Sequence, residues 1–234
     1  MLEGLRLCLD VQRSGLAPEE CYFTKTALEK YPDETAALCS LAERSFEIDD
    51  ACASKISDTA APQGVFCLMN AIDKTTSSYK IDFKGKYIML ENVQDPSNLG
   101  ACARSAEAFG LSALLLYNCC DTFNPKALRA SMGALLRIPC IDVTSVPELL
   151  QQCSKNNMKT YASVPDRSAL SITKADLCGG VLCVVGNEAR GVTEDTQNRC
   201  DDRLTIPMSG RAESLNASAA ASVIMWEMVK DLIG

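Results

Sequence analysis

The run Val181-Leu182-Cys183-Val184-Val185 is apolar at every position. A strand with one wet face alternates apolar and polar residues, so an unbroken run predicts a strand covered on both faces, as in parallel sheets flanked by helices. Tyr87 to Leu90, Ala113 to Tyr117, Ile138 to Val143 and Leu204 to Ile206 read as further strands. Leu99 to Phe109, Pro125 to Leu136, Pro147 to Asn156 and Asn216 to Leu232 read as helices. Residues 86–234 are therefore expected to form an α/β domain on a parallel sheet. Ligands of such sheets bind beyond the carboxyl ends of the strands, which directs attention to three junctions: 91–100, 186–192 and 207–216.

Residues 73–85 (DKTTSSYKIDFKG) are polar and lack apolar periodicity, and they read as a linker. Residues 1–72 ahead of them read as a small α/β unit, with helices over Leu5 to Val11 and Glu34 to Phe46 and a buried strand over Gly64 to Met69. Its abrupt start at MLEGLRL suggests that its first elements lie outside this sequence. No apolar run approaches the roughly 18–20 residues of a membrane span. No charged segment followed by an apolar stretch opens the chain. The expectation is a cytoplasmic protein with no membrane partner.

The chain has no histidine, which removes Ser-His-Asp and Cys-His catalysis and imidazole acid–base chemistry. Its 13 cysteines contain no C-x-x-C and sit mostly among apolar neighbours, as in AALCSLA and VFCLM. They read as packed thiols in a reducing compartment, and no metal site is expected. A net charge of −7 argues against indiscriminate nucleic-acid binding while permitting a local basic patch.

At the first junction, Pro96 disfavours a helical Asp95 and Asn98 reads as an N-cap. The small residues Gly100, Ala101, Ala103, Ala106 and Ala108 follow, with Arg104 the exception among them. At the second, a buried strand runs into Gly186-Asn187-Glu188. This is not the G-x-G-x-x-G of dinucleotide sites, and Glu188 either caps the helix near Thr193 or faces a ligand. At the third, Ile206-Pro207-Met208 ends a strand, and Ser214 or Asn216 caps the helix that follows.

Taken together and in this order, Asn-x5-Arg after a strand, a Gly-x-Glu turn, and Ile-Pro-Met…Ser-Leu-Asn-x-Ser before a C-terminal helix resemble the SpoU (TrmH) RNA ribose methyltransferases of the SPOUT superfamily. The resemblance covers about residues 86–234. EGLRL and QGVFCLM more loosely resemble the small substrate-binding domain of many members. The resemblance implies a trefoil knot in the C-terminal domain, a homodimer through that domain, and bound S-adenosylmethionine without a metal. It implies methyl transfer to a ribose 2′-hydroxyl of structured RNA, rRNA favoured over tRNA and guanosine over other nucleosides. An inactive RNA-binding or assembly factor of the same fold is the alternative.

Carried over by position, the resemblance implies that Gly186, Asn187, Ile206, Met208 and Leu215 hold the cofactor. Asn98, Arg104, Glu188, Ser214 and Asn216 become the catalytic residues. Ala189 and Arg190 depart from the pattern, since many members have glycine after the glutamate. Arginine stays charged in proteins, so Arg104 is expected to clamp a phosphate or developing alkoxide rather than to act as a bare base. Arg104, Arg129, Arg137 and Arg211 are expected to form the phosphate-binding cleft.

Overall fold

The computed structural model describes residues 1–70 and 79–232. Contacts divide the chain into two compact units, Met1–Asp73 and Lys74–Gly234.

The first unit runs β1 (Leu2–Glu3), α1 (Leu5–Arg13), β2 (Glu20–Thr24), α2 (Lys25–Lys30), α3 (Pro32–Leu41), β3 (Arg44–Ile48), α4 (Asp50–Ile56) and β4 (Val65–Leu68). Its sheet has the order β1-β4-β2-β3, with β2 and β3 parallel and the other pairs antiparallel. Cys8, Val11, Cys21, Phe23, Leu38, Val65 and Phe66 are buried at its centre. The helix expected over Glu34 to Phe46 ends early. Ala42 turns to extended backbone, and Arg44 pairs with the start of β2 through an N–H to Glu19 O bond of 3.1 Å. The strand available on β2 wins over the helical spacing.

The second unit runs β5 (Lys86–Glu91), α5 (Pro96–Ala108), β6 (Ala113–Tyr117), α6 (Pro125–Ser131), α7 (Ala134–Arg137), β7 (Cys140–Asp142), α8 (Val146–Lys155), β8 (Lys159–Ser163), β9 (Leu170–Ser171), β10 (Val181–Gly186), α9 (Glu194–Arg199), β11 (Asp202–Thr205) and α10 (Ala217–Val229). Its seven strands are all parallel in the order β7-β6-β5-β10-β8-β11-β9. From β5 the chain builds outward through β6 and β7, then crosses to β8 and leaves a gap that β10 fills. Every residue of β5 and β10 is buried, as the apolar runs Tyr87–Leu90 and Val181–Val185 require, and β5 carries the charged Lys86 and Glu91 at its two ends.

The helix expected over Pro125 to Leu136 is two helices. Met132 and Gly133, with φ of 51° and 82°, take the left-handed conformation and break it. Of the segment read as a linker, residues 73–78 lie outside the described residues. Tyr79, Ile81 and Phe83 pack against the core of the second unit, and the Tyr79 hydroxyl donates to Ser112 O at 3.1 Å. Among the described residues no helix is long and apolar enough to cross a membrane.

Candidate active site

Helix α5 starts one turn earlier than its sequence suggests. Asp95 is its N-cap, accepting from the Ser97 N–H at 3.0 Å, with Pro96 in the first turn. Asn98, expected to be the cap, lies inside that turn, so its side chain is free for other partners. It is 7% exposed and faces two other loops. Its Nδ2 donates to Glu188 Oε1, and its Oδ1 accepts from Asn216 Nδ2 at 3.0 Å. Asn216 is the N-cap of α10: its Oδ1 accepts from the Ser218 N–H at 2.9 Å, the Ser218 hydroxyl at 2.7 Å and the Ala219 N–H at 3.4 Å. One amide network therefore joins all three junctions.

The turn after β10 folds back on itself. Gly191 donates to Asn187 O at 2.9 Å, and the Asn187 Oδ1 accepts from the Ala189 and Arg190 N–H groups at 3.1 and 2.7 Å. That side chain closes the turn without a glycine at 189, and only Gly191, with φ of 66°, needs the left-handed region. Glu188 does not cap the next helix; Thr193 does, accepting from the Thr196 N–H at 3.4 Å.

A cavity of about 510 Å³ opens at the carboxyl ends of β8, β10 and β11, within the range of small-molecule sites. Of the residues selected from sequence, Gly186, Asn187, Glu188, Ile206, Met208, Ser214 and Leu215 line it. Asn98 and Asn216 reach it through Glu188. The loop after β8, with Val164, Pro165 and Asp166, forms another wall that the sequence reading missed because β8 itself was not read. Leu215 is apolar yet 38% exposed on the cavity wall.

Arg104 does not line this cavity. It is exposed on α5 and has no ion pair or side-chain hydrogen bond among the described residues. The other three arginines of the expected phosphate-binding cleft differ in their surroundings. The Arg137 guanidinium is paired with Glu107, its Nη2 donating to Oε2 at 2.9 Å. Arg211 is exposed. Arg129 carries a buried Nη1 with no hydrogen-bond partner among the described residues.

All 13 cysteines are free. Burial pushes the Cys102 thiol up to about 12 and the Cys119 thiol up to about 11, and Cys119 donates to Leu90 O at 3.2 Å. These groups near the first junction are protonated packing elements rather than nucleophiles. Among the described residues no cluster of three or more Cys, Asp or Glu side chains is arranged to hold a metal ion.

The SpoU rRNA Methylase family model matches residues 85–226. The chain is 38% identical over 148 residues to the 23S rRNA (guanosine-2′-O-)-methyltransferase RlmB of Xanthomonas axonopodis pv. citri (strain 306), covering 63% of this chain and 59% of that protein. The chain thus spans less than two thirds of the length of that relative. A crystal structure of an RNA 2′-O ribose methyltransferase shares 26% identity and a TM-score of 0.83, covering 98% of this chain and 87% of the other. The SpoU methyltransferase AviRb from Streptomyces viridochromogenes, solved with AdoMet, has the same fold at 22% identity and a TM-score of 0.83, covering 100% of this chain and 90% of the other. The chain belongs to the SpoU rRNA Methylase family.

Proposed function

We propose that this chain transfers a methyl group from S-adenosylmethionine to a ribose 2′-hydroxyl of structured RNA, with a guanosine of rRNA as the favoured target. The observation that carries this reading is the Asn216–Asn98–Glu188 network, set at the edge of a cavity where three strand ends converge. The RlmB relatives support rRNA and guanosine.

The cavity residues fit S-adenosylmethionine. Ile206, Leu215 and Val164 offer an apolar wall, and the exposed face of Leu215 is surface that a ligand would cover. The strand-end loops add polar backbone suited to the uncharged adenosine part, and Asp166, Glu188, Arg190 and Arg203 on the lining supply charges of both signs for the sulfonium, ammonium and carboxylate of the methionine part. Gly186, Asn187, Ile206, Met208 and Leu215 would hold it. When bound, it supplies a methyl group already activated on a sulfonium. The chain's own task is then alignment, which can supply about 7–11 kcal/mol of a barrier.

Asn98 holds the Glu188 carboxylate in one orientation, and Asn216 holds Asn98. Arg104, exposed and with no ion pair among the described residues, is available to an RNA phosphate or to the oxygen that loses its proton. The proton leaves through Ser214, water or an RNA phosphate. A homodimer through the second unit is supported by the solvent-facing apolar face of α10. Trp226 and Val223 are 47% and 40% exposed there, and the Trp226 ring lies 5.8 Å from that of Phe109. Trp226 at such a face suits an interface anchor.

The same reading makes residues 1–72 an RNA-binding domain and 86–234 the methyltransferase domain. It includes the family's trefoil knot in the second unit. Thirteen free thiols support a cytoplasmic site of action. Calorimetry with S-adenosylmethionine tests the reading: saturable one-site binding is expected, and no heat at millimolar cofactor would contradict it.

A further inference from the structure

Glu91 ends β5, in register with Gly186 at the end of β10. Its carboxylate is buried, with the residue 1% exposed, and among the described residues it makes no ion pair. Burying a charge without a cation is costly unless hydrogen bonds replace the lost water. Three donors do so here. The Thr193 N–H donates to Oε2 at 2.8 Å, and the Thr193 and Thr196 hydroxyls donate to Oε1 at 3.0 and 2.7 Å. All three come from the segment that closes the turn 186–192 and opens α9.

The turn is thereby fixed at both ends. At Gly186 it packs so tightly that a Cβ would fall 2.0 Å from the Gly191 carbonyl carbon. At Thr193 it is held by a carboxylate on the neighbouring strand. Helix α9 has six residues, too few to hold that end by itself. We propose that Glu91 is a positioning residue: it acts through Thr193 and Thr196 to set the conformation of the Asn187–Gly191 turn, and so the affinity of the cavity for S-adenosylmethionine. This rests on the cofactor reading above, although the hold on the turn itself does not.

Glu91→Gln keeps the size and places an amide N–H₂ against at least one of the three donors. In the full chain without cofactor, trypsin cleavage after the exposed Arg190, followed by mass spectrometry, is expected to accelerate at least tenfold. Affinity for S-adenosylmethionine by calorimetry is expected to fall at least tenfold. Turnover on rRNA at saturating cofactor is expected to fall by a smaller factor than the affinity, because the turn also carries Glu188, so KM for the cofactor moves more than kcat.

Thr196→Val removes one donor with little change of shape. It is expected to shift cleavage and affinity in the same direction by a smaller factor, and it decides the matter if Glu91→Gln does not fold. Cleavage and affinity within twofold of the parent, with or without lost thermal stability, overturn the proposal. If the parent chain binds no S-adenosylmethionine, the functional reading fails, while the cleavage comparison still judges the hold of Glu91 on the turn.

Discussion

Asn98 donates its side-chain amide to the Glu188 carboxylate, joining the first turn of α5 to the turn after β10 across 90 residues of sequence. Neither side chain has this partner by local geometry; the parallel register of β5 and β10 brings them together. Asn98→Ala removes this bond and the one from Asn216. Methyl transfer to rRNA is expected to fall about 100-fold, the scale of a 1 Å misplacement at a reacting centre, with the circular dichroism spectrum retained. Turnover equal to the parent would show that the network has no part in the reaction.

Arg104 lies on the same helix, exposed and not among the residues that line the cavity proposed to hold the cofactor. Arg104→Ala should therefore leave S-adenosylmethionine affinity within threefold, while methyl transfer drops by about 10²–10³, as for loss of one group that stabilises developing charge. Arg104→Lys should recover only part of the loss, because an ammonium lacks the guanidinium's planar fork. Paired calorimetry and turnover measurements separate these effects.

Gly186 has no room for a side chain. A Cβ there would meet the Gly191 carbonyl carbon and oxygen at 2.0 and 2.1 Å and the Val192 nitrogen at 2.3 Å, all backbone atoms. Gly186→Ala is expected to destabilise by about 2–3 kcal/mol. That lowers Tm by about 4–12 °C for a unit of this size, and cofactor binding is expected to be lost. A scanning-calorimetry Tm within 1 °C of the parent would contradict this close packing.

The apolar strands of the second unit were legible because their burial writes itself as unbroken hydrophobic runs. β8 (KTYAS) and α9 (EDTQNR) were not. The first is short and half polar, and the second carries no apolar face to give a period. β3 is exposed at nearly every residue, so nothing in RSFEI marks a buried face, and the helical spacing from Glu34 runs on through it to Phe46. At the site, Gly, Asn and Pro punctuate the three junctions strongly enough to be found. The cap of α5 was misplaced by three residues, because Asp95 and Asn98 are equally good capping types and only the fold selects between them. Glu91 reads as the first residue of the junction after Tyr87 to Leu90. Its role depends on Thr193, 102 residues away, and no local pattern carries that pairing.

The buried thiols make stability fall in alkali. Burial raises Cys102 to about 12 and, first among its causes, Cys153 to about 11, against an ordinary value of 9.0. Below pH 9 the thiols are protonated whether the chain is folded or not, and the protein keeps its full stability. Above pH 9 the unfolded chain ionises first, so stability is lost as pH rises toward 11–12. The loss is about 1 kcal/mol for each such thiol at pH 10. Tm should decline between pH 9 and 10.5, with thiolate from Cys102 and Cys153 appearing only on unfolding. Thiolate signal from these two residues in the folded protein at pH 10 would refute the assignment.

The central claim is that three strand-end turns, tied together by Asn98, present an activated methyl group to a ribose oxygen. Mass-spectrometric mapping of rRNA from cells lacking this chain, before and after treatment with the purified protein and S-adenosylmethionine, tests it most directly. The expected result is one new 2′-O-methylated nucleoside, a guanosine, that is absent when Asn98→Ala protein is used. A methyl group on a base, or no new methylated nucleoside in rRNA or tRNA, would contradict it.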